Sequence, residues 1–319
     1  MSLSDQEKLT ESKGSRLIKA AVKAFISLCL IAFIFRQVDG QKVWQSMLSA
    51  QIEYLLIALL FQLMSLLIAA FRWRIIMTAL DFKESLLFYV KSYFKGTFFN
   101  QILPTSVGGD AYRILELGSR GYSKRESLYG VFVDRVAGLF GLLLLNLIAN
   151  NISDSLLPAD MKLLINMITL GGLIGIVALT LIRKISIFAK IKWLQAFHDL
   201  SVRFRTVYRT KSLILAQIGL SVVVHFFSLL AIFCIGIALK LDFPLLVIMT
   251  IVPPVILLTL LPISLAGWGV REGAMVGLFL LIGAEKAGVL SMSLLYGLLL
   301  IVISFPGLYY YIRSPNRVF

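Results

Sequence analysis

Long apolar stretches separated by short polar segments run through almost the whole chain. Because about 20 consecutive apolar residues cross the hydrocarbon core of a bilayer as a helix, these stretches predict membrane spans. The pattern predicts an all-α polytopic membrane protein with about six full transmembrane helices, at approximately 24–35, 54–71, 128–149, 162–182, 212–239 and 287–312.

The composition agrees with this pattern. Of the 319 residues, 59% are hydrophobic, which exceeds the roughly 45–50% that is typical of soluble domains. No polar stretch is long enough to fold as a separate soluble domain. We therefore predict one membrane domain over residues 1–319.

Lysine and arginine are concentrated in alternate loops, and the formal net charge is +14. Most of these cations lie in the N-terminus, residues 72–125, residues 183–211 and the C-terminus, and few lie in 36–53, 150–161 and 240–242. The positive-inside rule then places both termini in the cytoplasm of a bacterial-type inner membrane. Cations spread over short loops favour contact with anionic lipid and argue against nucleic acid as a partner.

Two further apolar regions, 86–112 and 243–283, do not fit as full spans. Six full spans already place both termini on the same side of the membrane. Each of the two further regions must therefore enter the membrane and return on one face. Region 86–112 would do so from the cytoplasmic side and region 243–283 from the opposite side. We predict two re-entrant hairpins.

The two regions contain related motifs, ILPTSVGGDAYR at 102–113 and LLPISLAGWGVR at 260–271. A leucine, a proline, a serine, a glycine and an arginine recur at a constant offset of 158 residues. Each half of the chain has an odd number of crossings, so the second half is inverted in the membrane. We predict an inverted-topology repeat of residues 1–158 and 159–319, a plan that many transporters share.

The motif residues form a candidate site for an anion. Proline breaks the incoming helix, and serine can cap the returning helix, whose free N–H groups attract anions. An arginine further along that helix can pair with phosphate or carboxylate. The candidate substrate-binding residues are Ser106, Gly108, Gly109, Asp110, Arg113, Ser264, Gly267, Gly269, Arg271 and Glu272.

Internal ion pairing explains the two arginines equally well. Arg271 is followed directly by Glu272, and the candidate partners of Arg113 are Asp110, Glu116 and Asp134. Ionisable residues at membrane depth are costly and usually functional, which keeps both explanations open.

Three further charged residues near the ends of predicted spans are secondary candidates, namely Asp134, Arg135 and Arg72. For the adjacent Asp134 and Arg135, an ordinary interfacial salt bridge is the simpler explanation. The segment 184–211 mixes aromatic residues with cations, which predicts an amphipathic helix on the anionic cytoplasmic leaflet. Its aromatic residues are Trp193, Phe197, Phe204 and Tyr208.

The sequence gives little support to catalysis. It contains no phosphate-binding P-loop, no metal-binding pair of histidines and no Ser–His–Asp arrangement. His225 lies alone inside a predicted span, where a helix-packing role is the default. We predict no enzymatic activity, no cofactor and no metal.

Four motifs in a fixed order, RWR at 72–74, LPTSVGGDAYR at 103–113, VDRVAGL at 133–139 and LPISLAGWGVREGA at 261–274, resemble the transmembrane domain of lysylphosphatidylglycerol synthases and its flippase-like stand-alone relatives. The resemblance covers nearly the whole chain. It implies movement of a lipid between leaflets, and relatives also occur joined to glycosyltransferases that act on lipid-linked sugars.

The chain departs from this family in two places. The synthases continue into a soluble aminoacyl-transferase domain, whereas this chain ends at Phe319, so a lipid-modifying enzyme would be a separate protein. Ala266 also stands where the family pattern has glycine.

The preferred hypothesis is a flippase-like transporter that moves a lipid or lipid-linked intermediate with a polar or anionic head group between leaflets by alternating access. Its partners would be membrane lipids with an anionic phosphate and, in addition, a separate lipid-modifying enzyme. One alternative is a secondary transporter of a small soluble anion. The other is a non-transporting membrane partner of a lipid-modifying or glycan-modifying enzyme.

Overall fold

A computed structural model describes residues 3–103, 107–152, 156–192, 194–261 and 263–314. These residues form helices and connecting turns, and no strand occurs among them. The helices up to residue 152 are α1 Leu3–Gln37, α2 Gly40–Leu48, α3 Ile52–Ala79, α4 Leu86–Ile102, α5 Gly108–Ser119 and α6 Lys124–Ile152.

The remaining helices follow a short connection. They are α7 Ala159–Leu181, α8 Ser186–Lys190, α9 Gln195–Val207, α10 Lys211–Ala238, α11 Leu245–Thr259, α12 Val270–Leu280 and α13 Lys286–Ile312, with a 3₁₀ turn at Ile182–Lys184 after α7.

Five helices of the described chain are long and apolar enough to cross a membrane: α3, α6, α7 with its 3₁₀ turn, α10 and α13. A sixth crossing forms if the end of α1, from Ala21, and α2 count as one span bent by 95°. The all-α prediction with about six spans is therefore confirmed. The re-entrant path of the two hairpins and the inverted repeat stay predictions.

The bend between α1 and α2 lies in a stretch that the sequence marked only as a connecting loop. Asp39 caps α2, because its carboxylate accepts hydrogen bonds from the main-chain N–H groups of Gln41 (2.9 Å) and Lys42 (3.3 Å). Val43 is buried and packs against Leu290 of α13. The Asp39 cap and the buried contact of Val43 thus stabilise a helix in a segment whose polar sequence suggested a loop.

The long helices pack in pairs: α3 lies along α10, α4 along α13, and α6 along both α10 and α11. Small residues bring the helices close together. A Cβ atom added at Gly141 of α6 would lie 2.5 Å from the backbone of Ser221 of α10, and one added at Gly307 of α13 would overlap the carbonyl oxygen of Phe94. The outer surface is apolar, since α7 exposes residues such as Leu163, Ile168 and Ile174, as lipid-facing helices do.

One end of the bundle is rich in cations, and we call it the basic end. The first residues of α4 and the last residues of α5 and α13 meet there, around one cavity that Glu84, Arg120 and Arg313 line. Helix α6 begins at Lys124, shortly after Arg120, and so starts at the same end. The start of α6 also pairs with α9 through Arg125 and Asp199. The first residues of α13 consequently lie at the opposite end.

The segment 184–211 forms α8 and α9 rather than one amphipathic helix. Phe204 is buried against Ile76 of α3 and Val133 of α6, so this aromatic side chain faces protein. Phe197 is 47% exposed, and Trp193 lies outside the described residues. The apolar face of α9 is therefore largely covered by the helix bundle, and contact of the segment with the cytoplasmic leaflet stays a prediction.

Candidate functional site

Five charged residues from three helices meet near the basic end. We call them the five-charge cluster, and its members are Arg72 of α3, Asp110 and Arg113 of α5, and Asp134 and Arg135 of α6. Asp134 occupies the centre. Its Oδ1 atom accepts hydrogen bonds from Nε (3.1 Å) and Nη2 (2.9 Å) of Arg72, and its Oδ2 atom accepts one from Nη2 of Arg113 (2.9 Å).

Asp110 extends the cluster and ties α5 to α6 a second time. Its carboxylate accepts hydrogen bonds from Nη1 of Arg113 (3.3 Å) and from Nε of Arg135 (2.6 Å). Arg72 reaches further and donates to the hydroxyl of Ser221 on α10 (3.1 Å). Three guanidinium groups face two carboxylates, so the cluster has an excess of one positive charge.

Four members of the cluster are buried among the helices, and the side chain of Arg135 is 42% exposed. Asp134 is about 15 Å along α6 from the first residue of that helix. Its side chain is 1% exposed, and that of Arg72 is 4% exposed. The interfacial salt bridge that we expected for Asp134 is therefore a buried network, in which the aspartate joins two arginines.

Two aromatic rings enclose Arg113. The Cζ atom of Arg113 lies 3.8 Å from the centre of the Trp73 ring and 4.5 Å from that of the Tyr93 ring, which is cation–π geometry. The hydroxyl of Tyr93 also donates to Asp134 (3.4 Å). Sequence reasoning missed both aromatic residues, although Trp73 stands in the RWR motif that drew attention to Arg72.

The α4–α5 hairpin depends on close backbone contact. The N–H of Gly109 donates to the side-chain oxygen of Asn100 (2.8 Å), so this N–H group, which we expected to face an anion, has a partner inside the protein. A Cβ atom at Gly109 would overlap the carbonyl oxygen of Gly96. Gly108 is packed against Leu103, and the candidate Ser106 lies outside the described residues.

Glu116 was one of three possible partners for Arg113, and the structure gives it a different role. It pairs with Lys95 of α4, and both residues are 5% exposed. Arg113 is left with Asp110 and Asp134. This second buried ion pair also holds α5 against α4.

In the described part of the second hairpin, Arg271 and Glu272 of α12 form the one ion pair. Oε1 of Glu272 accepts hydrogen bonds from Nε (2.9 Å) and Nη2 (2.5 Å) of Arg271. Ser293 of α13 bridges the pair, since its hydroxyl lies 3.3 Å from Nε of Arg271 and 3.2 Å from Oε1 of Glu272. The other oxygen of Glu272 accepts from the N–H of Gly269 (2.6 Å) and so caps α12.

The turn before α12 has an uncommon backbone. Ala266 (φ 47°), Gly267 (φ 83°) and Gly269 (φ 86°) are all in the left-handed region, which glycine adopts without the steric cost that other residues carry. Ala266 therefore bears strain at a position where we expected glycine. Ser264 is buried, and its hydroxyl has no hydrogen-bond partner among the described residues.

Arg271 borders a cavity of about 230 Å³ between α10, α11, α12 and α13, which we call the central cavity. Its polar lining residues are His225, Ser228, Thr259, Arg271, Ser293 and Tyr296, and the other lining residues are apolar. The ring centres of Trp268 and Tyr296 lie 4.7 Å and 5.9 Å from the Cζ atom of Arg271. Nε2 of His225 is 2.9 Å from the carbonyl oxygen of Gly138, in agreement with the helix-packing role expected for this histidine.

The two hairpins differ in their charge. The offset of 158 relates Arg113 to Arg271, but it relates Asp134 to Met292 and Arg135 to Ser293. Ser293 lies about 10 Å along α13 from its first residue, at the end of the bundle opposite to the five-charge cluster. A charge network thus binds the first hairpin at the basic end, whereas the second hairpin has one ion pair beside a cavity.

The described residues hold no group of three His, Cys, Asp or Glu side chains arranged for a metal ion. Among the candidate substrate-binding residues, Asp110 and Arg113 belong to the five-charge cluster and Arg271 lines the central cavity, so these residues lie in two separate places.

The family described as the lysylphosphatidylglycerol synthase TM region matches residues 20–307, which is most of the chain. A search of curated proteins finds no relative. The match ties this membrane protein to lipid handling and agrees with the motifs at both hairpins. The chain belongs to the family of the lysylphosphatidylglycerol synthase transmembrane region.

Proposed function

We propose that this protein moves a lipid with a phosphate-bearing head group between the two leaflets of a membrane. The observation that carries the proposal is the position of Arg271, a buried arginine that borders a central cavity of about 230 Å³ inside the helix bundle. The main barrier to lipid flipping is the transfer of a polar head group through hydrocarbon. A cavity lined by a guanidinium group and hydroxyl groups lowers that barrier.

The size and lining of the central cavity fit a head group better than a whole lipid. Hydroxyl groups of Ser228, Ser293 and Tyr296 line it beside Arg271, and all can donate hydrogen bonds to phosphate oxygens. The acyl chains of the lipid would stay in the bilayer, along the apolar outer surface. An anion bound at Arg271 would compete with Glu272 for the same guanidinium group.

Alternating access gives the five-charge cluster a part in transport. The bonds from Asp134 to Arg72 and to Arg113 hold α3, α5 and α6 together at the basic end. A head group that passes this end requires these ion pairs to separate, so the cluster acts as a gate in the proposal. Opposite movement of the two halves, as in an inverted repeat, would open one end while the other is closed.

The distribution of cations supports an inner-membrane protein with both termini in the cytoplasm, which makes the basic end the cytoplasmic end. The protein would have no enzymatic activity of its own and would act beside a separate lipid-modifying enzyme. Its substrate would be an anionic phospholipid or a lipid-linked intermediate.

Reconstitution in liposomes tests the proposal. Transbilayer movement of a fluorescent phosphatidylglycerol is followed by the loss of fluorescence when an impermeant quencher is added outside, and uptake of glycerol phosphate is measured in the same liposomes. We expect movement of the lipid and no uptake of glycerol phosphate. Uptake of glycerol phosphate without lipid movement would support the soluble-anion transporter. If neither the lipid nor glycerol phosphate moves, with or without ion gradients, the transport function is excluded.

A further inference from the structure

A second cavity of about 440 Å³ lies between α6, α7, α9 and α10, and we call it the lateral cavity. Its walls in the membrane are apolar and include Val136, Phe140 and Ile176. On α10 it is lined by Ile214, Gln217, Ile218 and Ser221, a spacing of three or four residues that places all four side chains on one face. The lateral cavity shares no lining residue with the central cavity.

Two arginines line the lateral cavity, Arg183 in the 3₁₀ turn and Arg205 on α9. The carboxylates of neighbouring helices are engaged by other cations: Glu126 pairs with Arg203, and Asp199 pairs with Arg125. Neither Arg183 nor Arg205 forms an ion pair within the described part of the chain, and Nε of Arg183 is buried without a hydrogen-bond partner there. The cavity therefore carries two positive charges that no carboxylate compensates.

Gln217 supplies an independent sign of a ligand. The residue is 1% exposed and lines the lateral cavity, yet neither its amide nitrogen nor its amide oxygen has a hydrogen-bond partner among the described residues. A buried amide without partners is costly, and such groups are normally satisfied. Gln217 lies about 9 Å along α10 from the first residue of that helix, so it is close to the basic start of α10.

The rim of the lateral cavity faces the apolar outer surface of the bundle. Val177 and Leu181 of α7 and Ile214 of α10 line the cavity and are 51%, 45% and 37% exposed. Exposed apolar side chains on membrane-spanning helices contact acyl chains. A molecule that fills this cavity can thus extend an apolar part into the bilayer and keep a charged part beside the arginines.

We propose that the lateral cavity binds one glycerophospholipid from the leaflet at the basic end. The phosphate lies between Arg183 and Arg205, the Gln217 amide bonds to oxygens of the glycerol ester region, and an acyl chain follows Phe140 and Ile176 to the rim between α7 and α10. The phenol of Tyr208, whose pKa is raised by burial, stays neutral and adds a further hydrogen-bond donor at the phosphate.

The site also connects with the gate of the proposed transporter. Ser221 lines the lateral cavity, and its hydroxyl accepts a hydrogen bond from Arg72 of the five-charge cluster (3.1 Å). A bound lipid head group would therefore lie beside the residues that separate when the basic end opens. This role as an entry site rests on the proposed transport function, whereas lipid binding in the cavity does not.

Photolabelling in liposomes tests the binding site. The probe is a phosphatidylglycerol with a photoreactive group in its acyl chain, compared with a diacylglycerol that has the same chains and no phosphate. We expect saturable labelling of peptides from α6, α7 and α10 by the phospholipid. We expect Arg183→Gln/Arg205→Gln to reduce it by about tenfold or more, because two charge-assisted hydrogen bonds are lost.

The matched control is Lys184→Gln/Arg209→Gln, which removes two exposed cations from the same segment without altering the cavity lining. It should keep the labelling. Val177→Trp, at the exposed rim, should obstruct the cavity without removing charge. Three results would overturn the site. They are an equal loss of labelling in both double-charge variants, labelling by the diacylglycerol equal to that by the phospholipid, and labelling of wild type outside α6, α7 and α10.

The lipid-movement assay separates this inference from the proposed function. If the lateral cavity is labelled but the protein moves no lipid, the binding site is supported and the proposed transport function is excluded. Lipid movement by a protein whose lateral cavity is not labelled would support transport and overturn the site.

Discussion

Arg72 on α3 donates three hydrogen bonds to Asp134 on α6, two to the carboxylate and one to the main-chain oxygen. Both side chains are almost completely buried. Because the other carboxylate oxygen of Asp134 accepts a hydrogen bond from Arg113 of the first hairpin, this one aspartate joins three helices near the basic end.

Replacement of Asp134 by asparagine leaves two buried arginines without their shared counter-charge. We expect a loss of about 3–5 kcal/mol of stability, the usual cost of removing one partner of a buried ion pair. The measurement is the thermal unfolding midpoint of the purified protein in detergent. Asp199→Asn is the control: its partner Arg125 has a side chain that is 62% exposed, so the loss should stay below about 1 kcal/mol. Similar midpoints for both variants would contradict a central role for Asp134.

Gly297 of α13 leaves room for the guanidinium group of Arg271, because a Cβ atom there would overlap Nη2. Gly297→Ala should displace Arg271 from the central cavity while the charge remains, and lipid movement should fall. In Gly277→Ala the added methyl group meets no atom within 4 Å, so this variant should transport like wild type. Normal transport by a folded Gly297→Ala variant would show that the position of Arg271 does not matter.

Ala266 has a φ of 47°, a conformation that costs a non-glycine residue roughly 1–2 kcal/mol. Ala266→Gly should therefore stabilise the protein by about 1 kcal/mol, since the gain exceeds the added freedom of the unfolded chain. Ala274→Gly, inside α12, should instead destabilise it by about 1 kcal/mol. Thermal unfolding of the two variants should shift in opposite directions, and a decrease for both would exclude strain at Ala266.

Gly109 brings α5 against α4, and a Cβ atom there would overlap the carbonyl oxygen of Gly96. Because main-chain atoms cannot rotate away, Gly109→Ala should separate the two helices at a cost of about 1–3 kcal/mol. Gly175→Ala on α7, where no atom lies within 4 Å of the new methyl group, should be neutral or stabilising. A neutral Gly109→Ala would mean that the hairpin tolerates a wider spacing.

The sequence predicts the long helices well because a membrane imposes one simple requirement, a run of apolar residues. It predicts α2 poorly, since a cap at Asp39 and the contact of Val43 with α13 stabilise a helix that has no long apolar run. The apolar face of α9 was assigned to lipid for a related reason. Periodicity shows that a face is apolar but does not show whether lipid or another helix covers it.

The motifs marked both arginines and suggested Glu272 as the partner of Arg271, but they did not decide between the possible partners of Arg113. Asp110, Glu116 and Asp134 were equal candidates for Arg113, and only the packing of α5 between α4 and α6 decides that Glu116 binds Lys95. Ser221 lies 149 positions from Arg72 in the chain, and no local pattern marks such contacts. The lateral cavity was not foreseen, because its lining comes from four helices with ordinary sequences.

The most direct measurement of the central claim compares lipid movement in liposomes by wild type and by Arg271→Gln/Glu272→Gln. The double change removes both members of one ion pair, so no buried charge is left without a partner and the fold should survive. Arg125→Gln/Asp199→Asn removes an exposed pair and serves as the control. If a head group passes the central cavity by binding Arg271, lipid movement by Arg271→Gln/Glu272→Gln should be slower than that by wild type by a factor of about ten or more. The control variant should keep the wild-type rate. A folded Arg271→Gln/Glu272→Gln protein that moves lipid at the wild-type rate would contradict the account.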